Sequence, residues 1–228
     1  MTDRNLAAVV MAAGLGTRMR SETPKHLHPL LGKRLVDWVL DAVRPLDPEP
    51  LVVVTSPETK DALTGQGVTV AVQGEARGTG DAVAAARDAL DGFDGDVLVL
   101  SGDAPLLTPE LLEGLVAKHR ESQAAATVLT FEPVRPLPYG RIVRDDEGNV
   151  RAIVEEGDAT EQERAIRELN SSTYVFDAAE LWGALDGLKP DNVQGELYLT
   201  DTVRALAEAG KPVATYKSDD PEAPVGIN

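Results

Sequence analysis

Apolar residues along the 228-residue chain cluster into short β-branched runs separated by segments of helical period. Residues 6–11 form the first such run and predict a buried strand. It opens onto Ala12-Ala13-Gly14-Leu15-Gly16-Thr17-Arg18, a composition suited to a glycine-rich loop. Apolar positions at 35, 36, 39, 40 and 43 follow a helical period that Arg44-Pro45 closes. Residues 51–54 and 68–72 read as strands on either side of a short helix around 61–63. Residues 79–90 read as a helix of small side chains capped by Thr79. A further strand over 97–100 runs into Ser101-Gly102-Asp103. Strands and helices alternating in this way imply parallel β-α-β units and an α/β, Rossmann-like, doubly wound sheet.

The rhythm changes after about residue 105. Residues 109–121 predict a helix and 124–131 a strand, but 141–143 and 150–154 flank Asp145-Asp146-Glu147-Gly148-Asn149, a hairpin signal. A strand over 173–176 and a helix over 178–185 follow. The sheet is therefore expected to be mixed, though mostly parallel. No linker, low-complexity tract or repeat divides the chain. It reads as one domain, with a first half over about 1–105 and a second half, containing the hairpin as a small lobe, over about 106–228.

Composition narrows the chemistry. Without cysteine there is no disulfide, thiolate zinc site, iron-sulfur cluster or cysteine nucleophile, and three histidines make a histidine metal site a poor prospect. No apolar run approaches the ~20 residues of a bilayer span, and the start does not resemble a signal peptide, so a cytoplasmic protein is expected. Basic residues number 22 against 38 acidic, a formal charge of −16, which argues against nucleic-acid and anionic-membrane partners. Locally the sign reverses: Arg18, Arg20, Lys25, Lys33 and Arg34 face only Glu22 between Gly14 and Arg34. That segment is either a solvated basic loop or a site for a small anion.

In an open α/β sheet, ligands sit beyond the carboxyl ends of the strands. Two loops take that position, residues 12–25 and 101–107. Gly14 and Gly16 let backbone N–H groups approach an anion. The loop is not a Walker A motif, because Thr17 follows Gly16, and Met19 stands where a dinucleotide fingerprint needs its third glycine. Arg18 and Lys25 add fixed positive charge that suits a nucleoside triphosphate. Asp103 is either a hard oxygen ligand for Mg²⁺ or a cap for the turn ahead of Pro105. Gln73 offers a base edge both a donor and an acceptor, so alone it does not separate uracil from cytosine.

Nearly end to end, the chain resembles the N-terminal pyrophosphorylase domains of bacterial bifunctional UDP-N-acetylglucosamine pyrophosphorylase/glucosamine-1-phosphate N-acetyltransferases. The resemblance is carried by Met11-Ala12-Ala13-Gly14-Leu15-Gly16-Thr17-Arg18-Met19, Pro24-Lys25, Leu27-His28, Gly78-Thr79-Gly80, Gly102-Asp103-Ala104-Pro105-Leu106, Tyr139-Gly140-Arg141, Val154-Glu155, Asp158-Ala159-Thr160, Asn170, Asp191-Asn192 and the stretch from Gln194 to Asp201. The opening motif marks the wider sugar-nucleotidyltransferase class. Tyr139-Gly140-Arg141 together with residues 194–201 is more specific.

The resemblance implies the nucleotide-diphospho-sugar transferase fold and a Mg²⁺-dependent uridylyl transfer from UTP to N-acetyl-α-D-glucosamine 1-phosphate, a step of cell-wall precursor synthesis. It implies that Ala12, Ala13, Gly14, Gln73, Gly78 and Thr79 hold the nucleotide, and that Arg18 and Lys25 hold and neutralise the triphosphate. Gly140, Glu155 and Asn170 would grip the sugar, and Asp103 and Asn228 would bind Mg²⁺. Without the resemblance, Glu155 and Asn170 read as solvated polar side chains; with it, the half over about 1–105 is expected to bind the nucleotide and the half over about 106–228 the sugar. The rival readings are thymidylyl or cytidylyl transfer to another sugar or alcohol phosphate, and a non-catalytic nucleotide-sugar-binding regulatory domain.

Three features depart from the family. Its members usually continue beyond the residue matching Asn228 into a β-helix, so the acetyltransferase activity is not expected of these residues. A homotrimer is expected only if such a domain follows, otherwise a monomer or weak oligomer. Ser172 stands where many relatives have glycine, and its side chain is expected to point away from the sugar pocket because Ser171-Ser172 can form a turn. His26 occupies a position that is usually apolar.

Overall fold

The structure is a computed structural model that describes residues 4–14, 16, 19, 21 and 23–227. Strand β1 (Leu6–Ala12) leads through the loop that follows it to a small hairpin, β2 (Pro29–Leu30) and β3 (Lys33–Arg34), and then to α1 (Leu35–Val43). Next come β4 (Leu51–Thr55), α2 (Lys60–Leu63), β5 (Thr69–Val72), α3 (Thr79–Ala84) and β6 (Asp96–Ser101). The remainder is α4 (Pro109–Ser122), β7 (Ala126–Phe131), β8 (Arg141–Arg144), β9 (Val150–Val154), α5 (Glu161–Arg164), β10 (Leu169–Asp177), α6 (Ala178–Asp186), α7 (Thr200–Glu208) and β11 (Val213–Lys217).

The main sheet runs β11-β7-β10-β6-β1-β4-β5, with β8 and β9 branching from β10. β1 pairs in parallel with both β4 and β6, and β11 pairs in parallel with β7. β10 is antiparallel to both its neighbours in the row, β6 and β7, so the sheet is mixed but mostly parallel. The chain therefore builds outward through β4 and β5, then returns to place β6 on the other side of β1. A crevice opens where the direction of winding reverses, and the loops after β1 and β6 flank it.

Burial on both faces explains the continuous apolar character of the central strands. Along β1, Ala7, Val9 and Met11 face one layer with α3, α6 and α7, whereas Ala8, Val10 and Ala12 face the other with α1 and α4. At the opposite end from the crevice, fully buried Asp96 is held by Arg4 at 3.1 Å and Arg120 at 2.7 Å. This pairing fastens α4 and the start of β1 to β6. Among the described residues, no helix is long and apolar enough to cross a membrane.

Several expectations change in detail. The helix expected over 79–90 stops at Ala84 and resumes as a 3-10 turn over Arg87–Leu90. Thr79 does not cap it. Gly78 holds the N-cap, and Thr79 Oγ1 instead accepts a hydrogen bond from Leu199 N at 3.0 Å. The strand expected over 173–176 begins earlier, at Leu169, and carries a bulge between Asn170 and Tyr174. Helix α7 and edge strand β11 had no counterpart among the expected elements.

Candidate functional site

β1 and β6 deliver their loops side by side because they are adjacent parallel strands: Gly102 N donates to Met11 O at 2.9 Å. Only a small residue fits at 102, where a Cβ would stand 3.0 Å from that carbonyl and 3.1 Å from the ring of His26. Just beyond, Asp103 forms an ion pair with Lys25, and its Oδ1 accepts from Ser101 Oγ at 2.6 Å. Lys25 is 8% exposed, so its charge is held in a nearly closed position. Gly226 abuts the same carboxylate, and Ile227 N donates to Asp103 O at 2.9 Å. The end of the described chain thus returns to the crevice.

Two cavities meet here. The larger, about 530 Å³, is bordered by Gly14, Gln73, Gly78 and Thr79. The smaller, about 180 Å³, is bordered by Tyr139, Gly140, Glu155 and Ser171. Four residues line both: Lys25, Ser101, Asp103 and Ser172. These four form the seam between the cavities.

On the larger side, Gln73 is buried, and its Nε2 donates to Gly78 O at 3.1 Å and Asp81 Oδ2 at 2.8 Å. Both N–H groups are engaged, which fixes the carboxamide's orientation and leaves Oε1 as its unengaged group among the described residues. Gly78 adopts φ +114°, and a Cβ there would lie 2.5 Å from Leu197 O. That close approach lets Gly80 N donate to Leu197 O at 2.8 Å, closing the wall. His26 is 6% exposed, with its ring between Gly14 and Gly102 and its Nδ1 unpartnered among the described residues. Burial, aided by the Lys25 charge and opposed by Asp103, lowers its pKa to about 4, so the ring is neutral at pH 7.

On the smaller side, Gly140 brings backbone against β9, where a Cβ would meet Ile153 Cγ2 at 2.9 Å. Glu155 accepts from Thr200 Oγ1 at 3.1 Å. Burial raises its pKa, against the hydrogen bond from Thr200, while Asp158 and Asp201 raise it further. Tyr139 stacks edge-on against Phe131 at 5.3 Å and accepts from Gly226 N at 2.9 Å.

Of the residues singled out from sequence, Gly14, Gln73, Gly78 and Thr79 gather at the larger cavity, Gly140 and Glu155 at the smaller, and Lys25 and Asp103 at the seam. Ala12 and Ala13 lie nearly buried at the end of β1 and beginning of its loop. Asn170 is different: it is 2% exposed, its Oδ1 accepts from Ser172 N at 3.1 Å, and its Nδ2 donates to Tyr174 Oη at 2.8 Å. Its carboxamide supports the wall from behind. Ser172 does not turn away as expected but borders both cavities. Arg18 and Asn228 lie outside the described residues. Ser101 and Thr200, whose hydroxyls hold the two carboxylates, were not among the residues selected from sequence; serine and threonine carry no signal until their partners are known.

A divalent cation fits the seam on chemical grounds. Asp103 supplies a hard carboxylate, and Mg²⁺ commonly uses one or two carboxylates with substrate phosphates as its remaining ligands. The Lys25 ammonium beside Asp103 shows that the position favours positive charge. Among the described residues there is no closed cluster of three or more histidine, cysteine or carboxylate ligands.

A family model for the MobA-like NTP transferase domain matches residues 8–173. The chain is also similar to three proteins named "Bifunctional protein GlmU". It is 44% identical over 236 residues to that of Corynebacterium efficiens, covering 100% of this chain and 49% of the relative. To that of Pelotomaculum thermopropionicum it is 46% identical over 226 residues, covering 98% and 50%. To that of Brevibacillus brevis it is 46% identical over 223 residues, covering 97% and 48%. The chain spans about half the length of these curated relatives.

Proposed function

Because the chain belongs to the family of MobA-like NTP transferase domains, we propose that it transfers the uridylyl group of UTP to N-acetyl-α-D-glucosamine 1-phosphate, forming UDP-N-acetylglucosamine and pyrophosphate. The observation that carries this reading is the seam: a roomy cavity and a tight one meet at Lys25 and Asp103, the geometry a transfer between two bound phosphates requires. The larger cavity takes the nucleotide, on the backbone of Ala12, Ala13 and Gly14 and on Gln73, Gly78 and Thr79. Since both N–H groups of Gln73 are engaged elsewhere, its Oε1 meets the base as an acceptor. An acceptor matches the N3–H of uracil and repels the unprotonated N3 of cytosine. This favours uridylyl or thymidylyl over cytidylyl transfer.

The acceptor sugar occupies the smaller cavity, against the backbone of Gly140 and the carboxylate of Glu155. Asn170 contributes by holding the wall. A sugar phosphate oxygen attacks the α-phosphorus in line as pyrophosphate departs. The attacking oxygen is already anionic, so the chain needs no general base; it positions two anions and neutralises their charge. Lys25, and Arg18 with it, serve that neutralisation. Bound to Asp103 and Asn228, Mg²⁺ would supply further charge neutralisation.

The test is pyrophosphate release with UTP, dTTP and CTP against a panel of sugar 1-phosphates. Turnover is expected to be highest with UTP and N-acetylglucosamine 1-phosphate. No release from any pair would overturn the reading, and preference for CTP would overturn the role given to Gln73.

A further inference from the structure

β10 is interrupted where it reaches the seam. Its register against β7 shifts between Asn170 and Tyr174, and Ser172 adopts φ +61°, the left-handed region that glycine occupies at little cost and other residues avoid. The conformation is held from three sides. Asn170 Oδ1 accepts from Ser172 N at 3.1 Å, Ser171 Oγ donates to Leu129 O at 2.8 Å, and Asn170 N donates to Gly140 O at 2.8 Å. Holding the backbone there brings Ser172 to the boundary of both cavities.

Among the four seam residues, Lys25 and Asp103 pair with each other, and Ser101 donates to Asp103. Ser172 is the remaining polar side chain. Its hydroxyl neighbours that of Tyr174, which accepts from Asn170 Nδ2 at 2.8 Å. Asn170, itself 2% exposed, thus holds the backbone N–H of Ser172 and fixes this residue at the seam.

We propose that the Ser172 hydroxyl is a specificity-determining donor that binds the 1-phosphate of the acceptor sugar at the meeting point of the two cavities. This inference rests on the nucleotidyl-transfer reading above. The acceptor's phosphate is chosen over the nucleotide's because Ser172 belongs to β10 and lies beside Ser171 and Gly140, on the acceptor side. A sugar phosphate would gain a charge-assisted hydrogen bond that an unphosphorylated sugar cannot make.

Ser172→Ala and Ser172→Gly test the assignment together, because alanine keeps the backbone strain and loses the hydroxyl, whereas glycine removes both. KM for N-acetylglucosamine 1-phosphate should rise about tenfold or more in each, the scale of a hydrogen bond to an anionic oxygen. KM for UTP should stay within about twofold. The melting temperature of Ser172→Gly should equal or exceed that of the parent, so its defect cannot be ascribed to unfolding. If either variant keeps or lowers the parent's KM for the sugar phosphate, or if the effect falls on UTP, the assignment of Ser172 is wrong while the transfer reading stands. If the parent releases no pyrophosphate with any sugar 1-phosphate, the reading falls and this inference with it.

Discussion

His26 shows how one side chain can be chemically conspicuous yet structurally absorbed. A basic segment on an acidic protein suggests that every nitrogen in it binds an anion, but this ring lies between two glycines and is neutral. Its folded-state pKa, about 4, lies below its ordinary value of 6.5, so between those pH values the unfolded chain takes up a proton that the folded chain refuses. Stability from this group is therefore present above pH 6.5 and is lost as pH falls towards 4, by roughly 3 kcal/mol in all. Urea unfolding at pH 7 and pH 4.5 should show a smaller loss for His26→Val than for the parent; equal losses would locate the titration elsewhere. Lys25 and Asp103 are the opposite case, since their types and positions after two strands already suggested phosphate and metal. Lys25→Ala should lower kcat by ~100-fold or more, the scale for removing one preorganised charge from a transition state. Asp103→Asn should raise the Mg²⁺ concentration needed for half-maximal rate, and an unchanged Mg²⁺ titration would take Asp103 out of the site.

At the level of elements, the central strands were legible because burial on both faces gives continuous apolar runs; β1, β4 and β6 lie where the pattern set them, within one or two residues. β10 was legible only in its second half. Asn170 and Ser171 are polar, yet they are 2% and 3% exposed, and their place in a buried strand depends on partners such as Leu129 O, which lies 42 residues from Ser171. Periodicity carries no information about such pairings. β11 was missed for a related reason, because an edge strand that is only partly buried has no strong alternation to read. Gly78 joins the scales: its glycine was evident, but the reason for it lies in Leu197. Gly78→Ala forces both a left-handed alanine and a collision with that backbone, whereas Gly148→Ala, at φ +87° with nothing within 4 Å, imposes the conformational cost alone. Chemical denaturation should therefore find Gly78→Ala less stable than Gly148→Ala by about 1–3 kcal/mol. Equal losses would mean that the loop carrying Leu197 yields freely.

Across the whole molecule, a chain of net charge −16 presents a lysine at the seam between two cavities of about 530 and 180 Å³. Under the proposed function, unequal cavities on opposite sides of one ion pair predict that the two substrates are selected independently: nucleotide contacts would come from the turns after β1 and β5, acceptor contacts from the residues around β8, β9 and β10. Glu155 makes this testable, because it stands at the end of β9, beyond reach of the larger cavity's lining, and accepts from Thr200. Burial raises its pKa, so its carboxylate is lost at a pH above the ordinary 4.5 for glutamate. Below that pH the carboxyl offers one acceptor fewer to the sugar, and kcat/KM for the sugar phosphate should fall while KM for UTP changes little. Glu155→Gln should flatten that acid limb and raise KM for N-acetylglucosamine 1-phosphate, a buried polar contact being worth about 1 to 3 kcal/mol when one partner is lost. Glucose 1-phosphate, which lacks the acetamido group, should be disfavoured on the same scale. Equal kcat/KM for the two sugars would remove N-acetylglucosamine 1-phosphate as the preferred acceptor, yet leave intact the proposed assignment of the larger cavity to the nucleotide and of the seam to the transfer.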